Sequence, residues 1–217
     1  GSKFVSPGFI DIHSHMDLYL LHDPLARPKL WQGVTTETLA LCGLAPAPVS
    51  KENIDVLKFC LEEILGDFSI RWDWSTIGEY LERLDKKLGI NACFHSGHVP
   101  IRLEVMGGVD RTADPQDIEA MKALVKDGMD NGAIGFSTGL TYHPAAYANT
   151  REVIELAKVA SGRDGIISLH QRQWGHGFRR SLKEAVRIGK EASIPLQFSH
   201  LVVTRSDITT EWAIEYF

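Results

Sequence analysis

Cysteine is scarce in this sequence. The 217 residues contain three cysteines, at positions 42, 60 and 93. Small secreted domains that depend on disulfides usually carry larger, even-numbered sets, so this odd and sparse set argues against a disulfide framework. We therefore predict a reducing compartment and a cytoplasmic location.

Long apolar runs and clusters of basic residues are missing as well. No uninterrupted apolar segment approaches the roughly 20 residues that a membrane helix needs, which predicts no membrane association. The sequence has 23 Lys and Arg against 28 Asp and Glu, a formal net charge of -5. Without a basic stripe, the sequence does not support a nucleic-acid partner.

The sequence does have enough apolar residues for a large core, and they follow a regular alternation. Hydrophobic residues make up 44% of the chain. Short apolar runs alternate with stretches of helical periodicity, which predicts a parallel sheet with helices on the outside. The six runs cover residues 8–13, 34–42, 91–97, 132–138, 165–170 and 195–201.

Helices between the runs are indicated by apolar stripes and by capping signals. We predict a helix over 178–192 and a last helix that begins near Ser206. The other signals are the stripe Ile54, Leu57, Leu61 and Leu65, the capping box of Thr76 and Glu79, the pair Asp114 and Pro115 with the stripe Ile118, Met121 and Val125, and Thr150 as a cap.

The first apolar run ends in two histidines, His13 and His15. Side chains two apart on a β-strand point to the same face, so both imidazoles could bind one divalent metal. The alternative is that one histidine belongs to the core and the other is exposed. Asp17 follows closely, either to orient an imidazole or a substrate group or to cap the next segment.

Three further metal-ligand types lie at the ends of later runs: Cys42, His170 and His200. A single cysteine is by default an inert core residue. Its place at the end of a strand, with histidines closing two other strands, favours a thiolate ligand instead. Imidazole and thiolate together suit zinc better than magnesium or calcium.

The positions of these ligands favour a barrel over an open sheet. The carboxyl ends of all strands surround one site in a (β/α)8 barrel, whereas distant strands of an open sheet rarely meet. A complete barrel needs eight strands and typically about 250 residues. We therefore predict that residues 1–217 form a single TIM-like α/β barrel domain with six βα units, a fragment that needs the missing barrel segment or an oligomer partner.

Lined up in order, these segments resemble the N-acyl-D-amino-acid deacylase (D-aminoacylase) family of the amidohydrolase superfamily. The order and spacing of many short motifs carry the resemblance. They lie in residues 7–17, 33–37, 42–48, 97–107, 132–142, 170–172 and 199–201.

The resemblance implies a TIM-like barrel with a zinc site. By the family pattern, Cys42, His170 and His200 would hold a tight zinc ion. His13 and His15 would form a neighbouring, weaker metal position. Cys42 would bridge the two positions, in the place where many relatives use a carboxylated lysine.

The resemblance also implies substrate contacts. Tyr142 matches a position that contacts the substrate carboxylate, and Arg172 would help to orient the acidic substrate. The sequence departs from the family pattern at Val202, where a lysine is usual, and at Gln173 and Trp174, which replace an acidic residue.

The activity implied is zinc-dependent hydrolysis of N-acyl-D-amino acids to a carboxylate and a free D-amino acid. The family's catalytic aspartate is expected beyond the chain end, so we assign no catalytic residue within the 217 residues. Two alternatives stay open. One is a cyclic amide or imide hydrolase of the hydantoinase or dihydroorotase type, and the other is a noncatalytic metal-binding fragment.

Overall fold

Six parallel strands form one sheet in the computed structural model, which describes residues 4–85, 88–203 and 209–216. Each strand pairs with its neighbours in sequence, in the order β1-β2-β3-β4-β5-β6. A doubly wound sheet would reverse its strand order at a switch point, and this sheet does not. The strands are β1 (Phe9–Asp11), β2 (Val34–Leu39), β3 (Asn91–Gly97), β4 (Gly135–Gly139), β5 (Ile166–His170) and β6 (Leu196–Ser199).

This sequential parallel order confirms the predicted incomplete TIM-like barrel. The sheet curls so that its outer strands approach each other. Gln197 of β6 donates a hydrogen bond of 2.9 Å from its side-chain amide to the backbone oxygen of Ile12, just after β1. The carboxyl ends of the strands therefore converge, as they do at the active face of a barrel.

The helices follow the strands along the chain. The described residues also include short 3₁₀ turns at Leu41–Gly43, Ala145–Tyr147 and Gly175–Gly177. Among the described residues, no helix is both long and apolar enough to cross a bilayer. The helices are α1 (Tyr19–His22), α2 (Arg27–Leu30), α3 (Ile54–Leu65), α4 (Ile77–Asp85), α5 (His98–Met106), α6 (Pro115–Asp130), α7 (Thr150–Ser161), α8 (Phe178–Ala192) and α9 (Thr210–Glu215).

The capping signals place the helix starts well. The Thr76 hydroxyl accepts from the Glu79 amide at 3.2 Å and the Glu79 carboxylate accepts from the Thr76 amide at 3.0 Å, which confirms the capping box. Helix α6 begins at Pro115 behind the cap Asp114, and α8 has the predicted bounds.

Two predicted caps differ from the structure. Thr150 is the first residue of α7, and the cap is Asn149, whose side chain accepts from the Glu152 amide at 2.9 Å. Asn and Thr are both good caps, so the sequence alone does not distinguish Asn149 from the neighbouring Thr150 as the cap. The predicted start at Ser206 lies outside the described residues, and α9 begins at Thr210 behind Thr209.

Several strands are shorter than predicted, and helices α1, α2 and α5 were not predicted. The first strand ends at Asp11, so His13 and His15 lie beyond it and do not share a strand face as predicted. The second strand ends at Leu39 rather than at residue 42, and the sixth ends at Ser199, because Ala40 and His200 have φ angles of +56°. Helix α5 follows β3 without a loop and is buried almost throughout. A helix that is buried on nearly all sides lacks the one-sided apolar stripe that reveals a surface helix.

The core lies between the sheet and the helices. Phe136 on β4 and Ile167 and Leu169 on β5 are buried in one apolar cluster with residues of α6, α7 and α8. Ser137 and Ser168 alternate with them and are buried as well. Because side chains alternate along a strand, the concave face of the sheet is polar, and it leads to the strand ends that carry the candidate ligands.

Candidate metal centre

Cys42 lies at the centre of a cluster of imidazoles. Its Sγ is 3.4 Å from Nε2 of His13, 3.4 Å from Nε2 of His200 and 3.3 Å from Nδ1 of His170. These side chains follow β1, β2, β5 and β6, so four strand ends meet at one sulfur. The predicted convergence of Cys42 with distant histidines is therefore present in the structure.

The spacing of the donor atoms fits a zinc ion. Zinc bonds of about 2.3 Å to sulfur and about 2.0–2.1 Å to nitrogen place tetrahedral ligands about 3.5 Å apart. The distances from Cys42 Sγ match this value. The ligand atoms of His13, Cys42 and His200 all lie within 4.8 Å of one another. This trio differs from the predicted tight set, in which His170 stands in place of His13.

His15 extends the cluster on the side of β1. Its ring centroid is 5.3 Å from that of His13. Its Nδ1 is buried and makes no hydrogen bond to any described residue. A buried polar atom without a partner is costly, and a nitrogen in this position is a donor available to a cation.

The imidazoles are held in the neutral form that ligates metals. Burial, followed by the nearby imidazoles, lowers the pKa of His15 and His170 to about 4. Burial and His200 likewise lower the pKa of His13 to about 4. Neutral rings keep a lone pair for a cation, so protons compete with the metal only in acid.

The Cys42 thiol needs a cation to ionise. Burial and the nearby Asp17 raise its pKa to about 12. Only a strong local positive charge reverses such a shift, and a bound metal ion provides one. A thiol surrounded by neutral imidazoles is therefore a poor nucleophile and a good latent metal ligand.

A tightly held turn aims Cys42 into the cluster. Both Ala40 and Cys42 have left-handed φ angles of +56°. Asp17 Oδ1 accepts from the Ala40 amide at 2.8 Å, and the Ser137 hydroxyl donates to the Ala40 oxygen and accepts from the Gly43 amide at 3.1 Å. Asp17 therefore supports the backbone before the cysteine, a contact that is neither of the two roles considered from the sequence.

Asp17 itself is in an unusual environment. It is fully buried, and its Oδ2 makes no hydrogen bond to the described residues. Burial raises its pKa to about 7, although the Ala40 amide acts against this shift. Sequence reasoning missed this contact because it joins residues 23 positions apart.

An ion-pair network supports the strand that precedes His13. Lys29 of α2 lies 2.6 Å from Asp11 and 2.8 Å from the fully buried Glu37 of β2. Asp11 Oδ1 also accepts from the His13 backbone amide at 3.1 Å. Lys29 thus ties the end of β1 to β2 immediately below the first pair of histidines.

His170 is oriented by three side chains. Thr141 Oγ1 lies 3.0 Å from its Nε2, which leaves Nδ1 facing Cys42. The ring of Tyr142 lies 4.9 Å from the His170 ring, and that of Trp174 lies 4.8 Å from it. Tyr142 is therefore beside the cluster, where a substrate-binding role requires it. Thr141 was not singled out from the sequence, and Trp174 was noted there only as a departure from the family pattern.

Arg172 is beside the site, but its donors are occupied. The guanidinium donates to both carboxylate oxygens of Glu184, at 3.1 and 3.0 Å. It also donates to the backbone oxygens of Ala146 at 3.0 Å and Ala148 at 2.8 Å. These bonds hold the loop that follows Tyr142, and the predicted contact of Arg172 with substrate stays a prediction.

Two other histidines near β3 belong to the scaffold. His98 is fully buried, with Nδ1 2.8 Å from Thr138 Oγ1 and Nε2 2.9 Å from Glu152 Oε1. His95 is also buried, and its Nδ1 lies 3.3 Å from the Leu39 oxygen. These contacts give both residues structural roles.

Comparisons with known proteins agree with this geometry. The model of the amidohydrolase family matches residues 2–212. A D-aminoacylase of Alcaligenes xylosoxydans xylosoxydans is 39% identical over 197 residues, which cover 90% of this chain and 40% of that protein. The chain therefore spans about two fifths of the length of this relative.

Solved structures give the same result. A crystal structure of D-aminoacylase matches with a TM-score of 0.78 and 37% identity, over 89% of this chain and 40% of that one. The N-acyl-D-glutamate deacylase of Bordetella bronchiseptica, solved with zinc and a phosphonate mimic of the tetrahedral intermediate, matches with a TM-score of 0.76 and 30% identity. That match covers 88% of this chain and 39% of the deacylase.

Proposed function

Because this chain belongs to the amidohydrolase family, we propose that the full-length protein is a zinc-dependent deacylase. It cleaves the amide bond of N-acyl-D-amino acids and releases a carboxylate and a free D-amino acid. The observation that carries this proposal is the cluster of Cys42 with His13, His170 and His200 at 3.3–3.4 Å. The D-aminoacylase and deacylase relatives support the choice of substrate class.

The proposed metal ligands are the five residues of the cluster. Cys42, His170 and His200 would hold a tight zinc ion, and His13 and His15 would hold a weaker second one. Cys42 is near enough to His13, His170 and His200 to serve both positions. When bound, the zinc supplies a Lewis acid that polarises the substrate carbonyl and activates water.

The surrounding residues position the ligands and the substrate. Thr141 fixes the His170 ring through Nε2, and Asp17 fixes the turn of Cys42. Tyr142 contacts the substrate carboxylate with its hydroxyl, and Arg172 holds the loop behind it and orients the acidic substrate through that loop. No general base is assigned among the described residues.

The proposed partner is the small-molecule substrate, together with further structure that covers β1. Phe9, Ile10 and Ile12 expose 65%, 64% and 60% of their surface. Three large, exposed apolar side chains lie close together at this edge of the sheet. This favours an edge that is covered by more of the barrel or by an oligomer partner. The proposed location is the cytoplasm, as the sparse cysteines indicate.

Replacing Cys42 tests the metal site directly. In the full-length protein we expect Cys42→Ala and His170→Ala each to lower the zinc content more than tenfold. The first variant removes the anionic ligand, and the second leaves the tetrahedral ligand set incomplete. The matched control is Cys60→Ala, on α3, which should keep its zinc. The measurement is zinc per protein by mass spectrometry after dialysis. Full zinc in both cluster variants would contradict the proposed ligands.

The substrate class is tested by parallel assays. We expect hydrolysis of N-acetyl-D-leucine and much slower hydrolysis of its L enantiomer. Hydrolysis of a hydantoin alone would replace the proposal by the cyclic amide alternative. Bound zinc without any hydrolysis would identify a noncatalytic metal-binding protein.

A further inference from the structure

Trp174 lies in the loop between β5 and α8, directly beside the candidate metal centre. Its ring centroid is 4.8 Å from that of His170, and the two rings meet edge to face at 80°. The side chain is half-buried, so part of the indole surface stays accessible. None of the ligand roles proposed above uses this residue.

The loop holds Trp174 in a fixed position. The backbone oxygen of Trp174 accepts from the Gly177 amide at 3.0 Å, which closes the 3₁₀ turn before α8. The preceding residue, Gln173, donates its backbone amide to Ser181 Oγ of α8 at 2.8 Å. A side chain on a loop tied down at both sides is a preorganised contact surface.

Trp174 and Tyr142 contact the same imidazole from different loops. The Tyr142 ring lies 4.9 Å from His170, and its hydroxyl makes that side polar. The indole of Trp174 offers a large, mainly apolar surface, and buried aromatic side chains of this kind dominate recognition energies. The two rings thus flank His170, with a polar wall formed by Tyr142 and an apolar wall formed by Trp174.

We propose that Trp174 is a specificity-determining residue that receives the apolar substituent of the substrate amide. This inference rests on the proposed function, since the scissile amide must be held at the cluster of Cys42, His170 and His200. A carbonyl at that cluster places its substituents within a few ångströms of the His170 ring. The substituent is an aliphatic or aromatic group, on either the acyl side or the amino-acid side of the amide.

The alternative is that Trp174 only holds the His170 ring in place. The two roles have different consequences. If Trp174 only holds His170, its loss slows the hydrolysis of every substrate alike and lowers the zinc content. If Trp174 contacts the substrate, its loss slows only the hydrolysis of substrates with a large apolar group. One missing apolar contact in a pocket changes discrimination by about tenfold or more.

The first experiment compares three substrates in the full-length, zinc-loaded protein. N-acetyl-D-alanine is the small reference, N-acetyl-D-leucine carries an apolar side chain, and N-hexanoyl-D-alanine carries an apolar acyl chain. We expect Trp174→Ala to lower kcat/KM for one of the two larger substrates at least about tenfold relative to the reference. The affected substrate identifies the side of the amide that meets the wall.

Two further variants control this experiment. Trp174→Phe keeps an aromatic surface and should restore most of the discrimination. Trp31→Ala removes an indole that is 82% exposed after α2 and should leave all three substrates unchanged. An equal loss on all three substrates in Trp174→Ala, or a fall in its zinc content, would overturn the proposal in favour of the holding role.

A binding experiment separates this inference from the proposed function. Acetohydroxamate and hexanohydroxamate share a zinc-chelating head group and differ only in the length of their apolar chain. The longer chain can reach the apolar wall formed by Trp174. We expect the longer compound to bind the wild type more tightly, and Trp174→Ala to remove most of that advantage. If no N-acyl amino acid is hydrolysed but Trp174→Ala still removes the affinity advantage of the longer hydroxamate, the proposed function is wrong. The role of Trp174 in binding apolar groups would then still be supported. Equal affinity of the two hydroxamates for the wild type would contradict the proposal that Trp174 binds the apolar substituent.

Discussion

Single residues in left-handed backbone conformations aim two of the candidate ligands. Cys42 and His200 both have φ angles of +56°. Such conformations are costly for residues other than glycine and persist only where the surroundings hold them. Around Cys42, Asp17 and Ser137 provide that support through the backbone of the turn. The residue type comes from the sequence, but the direction of the side chain comes from these contacts.

Gly139 tests how closely the cysteine turn must pack on β4. A Cβ at Gly139 would lie 2.1 Å from the backbone oxygen of Cys42, so the turn would have to move. We expect Gly139→Ala to lower the free energy of unfolding by about 1–3 kcal/mol, the usual cost of overpacking. We also expect a lower zinc content, because the sulfur moves with the turn.

The matched control is Gly162→Ala after α7. A Cβ there would meet nothing closer than 3.5 Å, and the φ angle of −64° suits alanine. This variant should unfold at the wild-type urea concentration and keep its zinc. A wild-type zinc content and stability in Gly139→Ala would show that the turn is not constrained as described.

At the scale of elements, a buried ion pair joins α5 to α7. Arg102 and Glu152 are both fully buried, with Arg102 Nη1 2.6 Å from Glu152 Oε2. Glu152 also contacts His98 at the start of α5, and His98 in turn contacts Thr138 of β4. Two helices and the fourth strand are therefore connected by one polar network directly behind the concave face.

Removing Glu152 should be strongly destabilising. The variant Glu152→Ala leaves the Arg102 guanidinium buried without its carboxylate, and breaking such a pair typically costs about 3–5 kcal/mol. Urea unfolding followed by circular dichroism measures this loss.

Glu155→Ala on the same helix is the control. Glu155 pairs with Lys158 at 2.8 Å near the surface, and such pairs contribute about 0–1 kcal/mol. Equal stability losses in the two variants would contradict the importance of burial at Glu152.

At the scale of the whole molecule, the cluster gathers histidines from distant parts of the chain into one half-buried site, in which Cys42 and His170 are buried and His200 is exposed. In the metal-free protein the pKa of His13, His15 and His170 is lowered to about 4. The unfolded chain has ordinary histidines with a pKa of about 6.5. Between these values the three histidines bind more protons in the unfolded state. The raised pKa of Asp17, about 7 in the folded state, acts against this effect but offsets only one of the three groups. The free energy of unfolding therefore falls as the pH falls from about 6.5 towards 4.

This linkage predicts the behaviour of the metal-free protein. After zinc is removed with a chelator, we expect the midpoint of urea unfolding to be clearly lower at pH 5 than at pH 7.5. His13→Asn should reduce the difference, because one of the shifted groups is gone. A midpoint that is independent of pH in this range would contradict the burial of neutral imidazoles.

The sequence by itself determined the repeating units and the positions of the ligands along them. Apolar runs, helical stripes and caps such as Asp114 are local signals, set by backbone geometry over a few residues. They predicted six parallel strands and the helix at 178–192, and the structure confirms both. Helices α1, α2 and α5 were the exceptions. The first two have four residues each, and α5 is buried on nearly all sides, so none of them shows a one-sided apolar stripe over several turns.

Only the tertiary structure decided which side chains meet. Cys42 contacts residues 29, 128 and 158 positions away, and these contacts exist because the sheet curls. Tertiary packing also brings Asp17 to the turn before Cys42, where it accepts a hydrogen bond from the Ala40 amide, and pairs Arg172 with Glu184. A sequence pattern specifies what a side chain can bind, but the partner within reach depends on how distant segments are brought together, and local periodicity carries no information about that distance.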